Sequence, residues 1–178
     1  MNFTQLIKKS LSDTDIKKFF NNKINVIRYN ELNHVDSIDE VLQPYGRCII
    51  LIEAEKTNHW ILLQYINKPH QEPYILFFDS YGISVGNEFN EIPKSIQRLN
   101  NEDRNIILQL LINSPLQIHY NQYRLQKLKN GVNTCGRWCC VKGLLSDMTE
   151  DEFAKSIRKI QKETNLKPDE VICLLMEN

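Results

Sequence analysis

Three short apolar runs in the middle of the chain constrain its fold more than any other feature. Each is rich in β-branched or aromatic residues and is bounded by polar breaks, as expected of neighbouring strands in a buried sheet. The runs are residues 47–53, 59–66 and 74–78. If the last two are antiparallel and joined by residues 67–73, the start of one lies beside the end of the other. Because His59 opens the second run and Asp79 follows the third, this pairing predicts an imidazole beside a carboxylate.

Helical patterns flank these strands on both sides. Apolar spacing and N-cap signals predict helices at residues 3–11, 14–21, 37–42, 103–113, 136–145, 149–163 and 168–175, and shorter strands at residues 25–29 and 116–120. We therefore predict an α+β fold with a small, mostly antiparallel or mixed central sheet flanked by helices. The 178 residues show no internal repeat or linker, so we expect a single domain spanning residues 1–178.

Composition and charge exclude several classes of protein. Lysine plus arginine equals aspartate plus glutamate at 22 each, which does not favour broad adhesion to nucleic acid or to an anionic membrane. No apolar stretch approaches the roughly 20 residues that a membrane helix requires. The first residues lack the pattern of a secretory signal. We expect a soluble protein in a reducing intracellular compartment, with no membrane partner.

The five cysteines are odd in number and lack the regular spacing of a disulfide framework, so we expect free thiols. No second cysteine pair or His-x-x-x-His element completes a metal site, and we expect neither metal nor cofactor. Cys135 opens a predicted buried helix, where the helix dipole favours a thiolate. Taken singly, His59, Asp79 and Cys135 are each more often structural than catalytic.

Four motifs nevertheless occur in one order along the chain. They are His59-Trp60, Phe-Asp-Ser-Tyr-Gly at residues 78–82, Tyr-Asn-Gln-Tyr-Arg-Leu-Gln at residues 120–126, and Thr-Cys-Gly-Arg-Trp-Cys-Cys at residues 134–140. This ordered set resembles the cysteine proteases that include the adenovirus maturation protease, related proteases of large DNA viruses, virophages and Polinton-type elements, and the cellular proteases for ubiquitin-like modifiers. The resemblance covers about residues 47–145, the motif-bearing core.

The resemblance implies a role for each motif. Cys135 is the nucleophile, His59 its base, and Asp79 the acid that orients the imidazole. The Gln126 side chain and the Cys135 backbone N–H are the oxyanion donors. Trp60 helps to wall a narrow channel, which implies a preference for small residues before the cleaved bond.

One departure from the family concerns the glutamine. It usually precedes the cysteine by six or seven positions, whereas Gln126 precedes Cys135 by nine. Residues 127–131 can bulge as a polar loop without moving its ends, and Gln122 is the alternative donor.

Three functions follow from this interpretation. The leading hypothesis is a monomeric maturation protease that cleaves viral capsid and core precursor polypeptides at glycine-type sites, in the virion and in the virus factory of the host-cell cytoplasm. The runner-up is a deubiquitinase-like or deSUMOylase-like protease, and the third is a non-catalytic interaction module on the same fold. An activating peptide or nucleic acid, known among adenoviral relatives, stays open, as do the roles of Cys48 and Cys173.

Overall fold

A five-stranded mixed sheet with helices on its flanks forms the protein. The computed structural model describes residues 1–53, 58–86 and 105–177. The strands are β1 (Asn25–Arg28), β2 (Arg47–Ile52), β3 (His59–Ile66), β4 (Tyr74–Phe78) and β5 (Gln117–Tyr120). The helices are α1 (Phe3–Lys8), α2 (Asp13–Phe19), α3 (Ile38–Leu42), α4 (Ile106–Ile112), α5 (Cys135–Leu144), α6 (Glu150–Thr164) and α7 (Pro168–Glu177), with a 3-10 helix at Tyr29–His34. The predicted α+β class is confirmed.

The strands lie in sequence order across the sheet. The predicted antiparallel pairing of β3 with β4 is confirmed, and β2 also runs antiparallel to β3. The two outer pairs, β1 with β2 and β4 with β5, are parallel. At one end of the β3–β4 ladder Leu62 lies opposite Phe78, so the start of β3 and the residues after β4 meet at one end of the sheet.

Both faces of the sheet are covered, which explains why its strands are almost continuously apolar. Trp60 and Leu62 belong to the core on the face that carries α5, whereas Ile61 and Leu63 belong to the core on the opposite face. α5 itself is buried from its first residue to Gly143. The prediction that this helix is buried and begins at Cys135 is therefore confirmed.

The structure departs from the sequence prediction at several boundaries. α1 ends at Lys8 rather than at residue 11, which leaves Leu11 buried in the link to α2. The strand predicted to end at residue 29 ends at Arg28, because an unpredicted 3-10 helix begins there. The helix predicted at residues 103–113 is found at Ile106–Ile112, and residues 103 and 104 lie outside the described residues. Within the described ranges, no helix has the length and apolar character needed to cross a membrane.

Candidate active site

The predicted imidazole and carboxylate meet at the β3–β4 end of the sheet. His59 Nε2 lies 2.9 Å from Asp79 Oδ2, and the Asp79 side chain is fully buried. The Tyr81 backbone N–H donates to Asp79 Oδ1 at 2.6 Å, and the Gly82 N–H donates to the Asp79 carbonyl at 3.0 Å. Because both carboxylate oxygens have donors, the acid is held in one orientation toward the histidine.

Cys135 completes the set at the first residue of α5. Its thiol lies beside His59, near enough for hydrogen bonding and the charge of the imidazole to lower the pKa of the thiol, and Nδ1 is the ring nitrogen that the Asp79 contact leaves for it. A side chain at Gly136 would meet Trp60 Cδ1 at 3.1 Å and Leu11 Cβ at 3.3 Å. Glycine after the cysteine therefore lets the start of α5 approach β3 closely.

Electrostatics at the site favour an imidazolium and thiolate pair. Burial lowers the pKa of His59, but hydrogen bonds with Asp79 and Cys135 outweigh it and raise that pKa to about 10. Burial raises the pKa of Cys135, but the hydrogen bond and the charge of His59, with backbone hydrogen bonds at Trp60 and Gly136, bring it below the usual value for a thiol. The amide groups at the start of α5 add to this effect.

The other four cysteines have thiol pKa values above the usual value. Each is buried and unbridged, and burial raises the pKa of each thiol. They are Cys48, Cys139, Cys140 and Cys173. The predicted free thiols and the predicted core positions of Cys139 and Cys140 are confirmed. Of the five cysteines, Cys135 alone has a thiol pKa below the usual value.

Gln126 is a buried side chain tied to the residues that follow β4. The Ser80 hydroxyl donates to Gln126 Oε1 at 2.7 Å. Gln126 Nε2 donates to the Tyr81 hydroxyl at 3.1 Å and to the Val132 carbonyl at 3.3 Å. Because the Val132 carbonyl can only accept, its contact fixes which end of the amide is the donor end. The structure therefore joins Gln126 to the turn that carries Asp79.

The two remaining candidates differ in position. Gln122, the alternative oxyanion donor, has an exposed side chain, in contrast to Gln126. Trp60 is 5% exposed and packs in the core beside Gly136 and Leu11. Its role as a channel wall stays a prediction.

Sequence reasoning missed several residues that hold the site together. The Tyr81 ring stacks on the His59 ring, with centroids 4.8 Å apart and planes at 23°. Asn121 Nδ2 donates to the Asp79 carbonyl at 2.7 Å, which ties the segment after β5 to the turn after β4. Tyr81 and Asn121 both lie inside the recognised motifs. The Ser-Tyr-Gly sequence after Asp79 indicates a turn, but neither motif indicates these tertiary contacts.

Comparison with known proteins places the chain in a viral group. No model of a known protein family matches it. It is 33% identical over 169 residues to the uncharacterized protein V9 of Sputnik virophage, an alignment that covers 94% of each chain. The similarity supports the predicted link to virophages. The name of that relative states no activity, so any inference about the chemistry of this chain rests on the geometry of its site. The chain belongs to the family of Sputnik virophage protein V9.

Proposed function

We propose that the chain is a cysteine endopeptidase that processes viral capsid or core precursor proteins at small-residue sites. The observation that carries the proposal is the continuous contact from the Cys135 thiol through His59 to buried Asp79, the last step being 2.9 Å long. A nucleophile, a base and a group that orients the base are the set of residues that recurs at sites of covalent acyl transfer. The virophage relationship supports a viral substrate.

In this mechanism the thiol proton resides on His59 before substrate binds. Cys135 Sγ attacks the carbonyl carbon of the scissile peptide bond. As the C–N bond breaks, His59 gives its proton to the leaving amine, and a thioester remains on the sulfur. His59 then takes a proton from water while the resulting hydroxide attacks the thioester, which releases the carboxylic acid and restores the imidazolium and thiolate pair.

Two donors serve the oxyanion in this proposal. The Cys135 backbone N–H lies in the first turn of α5, which has no intrahelical acceptor for it. The second donor is Gln126 Nε2, and binding of the oxyanion replaces its bond to Val132, the longer of its two at 3.3 Å. Each donor contributes roughly 3 kcal/mol to catalysis at sites of this kind.

The close packing around the thiol supports a preference for small residues. Cys135 is 7% exposed. A Cβ atom at the next residue, Gly136, would lie 3.1 Å from Trp60 Cδ1 and 3.3 Å from Leu11 Cβ. An approach to the sulfur past these groups favours glycine-like residues on the substrate.

The test is processing of a capsid precursor from the same virus by the purified chain. We expect cleavage by the wild type and by Cys140→Ala, a matched control at a buried cysteine with a raised pKa, and no cleavage by Cys135→Ala. Equal processing by Cys135→Ala and the wild type would refute the proposal. Modifier probes with a thiol-reactive C-terminus address the runner-up, because strong labelling of Cys135 by one of them would favour a modifier protease.

A further inference from the structure

A buried carboxylate on α7, outside the set of Cys135, His59 and Asp79, collects three hydrogen bonds. Asp169 is 4% exposed. Its Oδ2 accepts from the Lys127 backbone N–H at 3.2 Å. Its Oδ1 accepts from Thr134 Oγ1 at 2.5 Å and from Trp138 Nε1 at 3.0 Å.

The donors stand at both ends of the loop that carries the unusual spacing. Lys127 directly follows Gln126, and Thr134 directly precedes Cys135. The two oxygens of one carboxylate therefore close residues 127–134 into a ring. Because the ends of this loop are held together, Gln126 and Cys135 can lie close in space even though nine positions separate them in the sequence.

The interior of the loop is arranged to bulge away from this closure. The Val132 N–H donates to the Lys129 carbonyl at 3.0 Å, and Gly131 between them has a φ of 81°, which favours glycine. The Asn133 N–H donates to the Ile7 carbonyl of α1 at 2.8 Å. The loop is thus pinned at its two ends and on its outer side.

The chemistry of the three contacts requires a carboxylate. Within the part of the chain that the structure describes, Asp169 forms no ion pair, so its hydrogen bonds offset the cost of burying the charge. All three contacts are donated to Asp169, and an asparagine would present an NH₂ group to one side or the other. One end of the loop would then lose its anchor.

We propose that Asp169 is a positioning residue that sets the separation of Gln126 and Cys135, and so of the oxyanion donor and the nucleophile. This role rests on the proposed function. If Asp169 has this role, its substitution should weaken oxyanion binding more than it lowers the reactivity of the thiol. A residue that contributes only to stability would not produce that difference.

Two probes separate these readouts in the full chain. Iodoacetamide alkylation, followed by mass spectrometry at Cys135, reports the thiolate. Binding of acetyl-glycyl-glycinal also needs the oxyanion donors, because the sulfur adds to the aldehyde carbon and the carbonyl oxygen takes the negative charge. For Asp169→Asn we expect alkylation within about twofold of wild type but aldehyde binding weaker by about tenfold or more, since displacement of a catalytic group by about 1 Å costs on the order of 100-fold.

Thr149→Ala is the matched control, because it removes the N-cap of α6 and so costs stability elsewhere. If Asp169→Asn fails to fold, Thr134→Val removes a single donor to Asp169 and is judged by the same criteria. The proposal is overturned if the variant behaves like Thr149→Ala with both probes, or loses both readouts equally. Wild-type binding of the aldehyde no tighter than that of Cys135→Ser refutes the proposed function itself, and this role with it.

Discussion

Replacing Asp79 by asparagine should disable the thiolate pair while leaving the fold in place. The asparagine side chain would keep an oxygen for the Tyr81 N–H, which donates to Asp79 Oδ1 at 2.6 Å. Its NH₂ group would then face His59 Nε2, which now lies 2.9 Å from Asp79 Oδ2. That nitrogen becomes an acceptor, and the ring proton moves to Nδ1, on the side of the thiol. If His59 then took the proton of Cys135, its Nε2–H would face the NH₂ group of the asparagine and would have no acceptor.

The magnitude follows from the pKa of His59, which stands at about 10 against an ordinary 6.5. Each pKa unit is worth about 1.4 kcal/mol, so the partners favour the imidazolium by about 5 kcal/mol net of the opposing effect of burial. If Asp79 supplies about 2 kcal/mol of this, the thiolate population falls roughly 30-fold in Asp79→Asn. Because the pKa is raised in the folded protein, the associated stability is complete below pH 6.5 and is lost as the pH rises through about 10.

The assay is the rate of iodoacetamide alkylation at Cys135 between pH 5 and pH 9, together with urea unfolding at each pH. Glu152→Gln is the control, because it makes the same change of acid to amide in the capping box of α6. We expect Asp79→Asn to react roughly 30-fold more slowly at pH 6 and to approach the wild type only at alkaline pH. A rate within about twofold of wild type at pH 6 would show that the carboxylate does not maintain the pair.

Two other substitutions test the surroundings of the site. Tyr81→Phe keeps the stacking on His59 but removes the hydroxyl that accepts from Gln126. In the proposed protease kcat should fall several-fold while the rate of alkylation at Cys135 stays unchanged. An equal loss of both would show that the hydroxyl does not act through Gln126 alone. Gly82→Ala puts a Cβ 2.9 Å from the Tyr123 carbonyl group at a φ of 70°; urea unfolding should show a loss of about 1–3 kcal/mol, and unchanged stability would mean that the loop has room to shift.

The antiparallel centre of the sheet and the meeting of His59 with Asp79 were predictable because their signals are local. A short polar connection between two apolar runs leaves few alternatives to antiparallel pairing. The parallel outer strands were not predictable in the same way. β1 and β5 reach their partners through segments that contain helices, and a strand of four residues carries little information about its neighbour.

Asp169 was hidden for a different physical reason. The sequence Pro168-Asp169-Glu170 is typical of the first turn of a helix, where an acid is already explained by the helix dipole. Nothing local indicates that this acid accepts from groups on another element. The burial of Arg137 was not predictable either, because charged residues in a helix are expected at the surface, whereas Arg137 is only 2% exposed.

The closure of the loop by α7 has a consequence for the timing of activity during synthesis. Asp169 follows Thr134 by 35 positions, so the ribosome delivers the nucleophile before the carboxylate that closes the loop beside it. Until α7 has emerged and packed, residues 127–134 lack the carboxylate that closes them into a ring. In the proposed protease, competence for peptide cleavage therefore arises late in translation, after the rest of the site has been made.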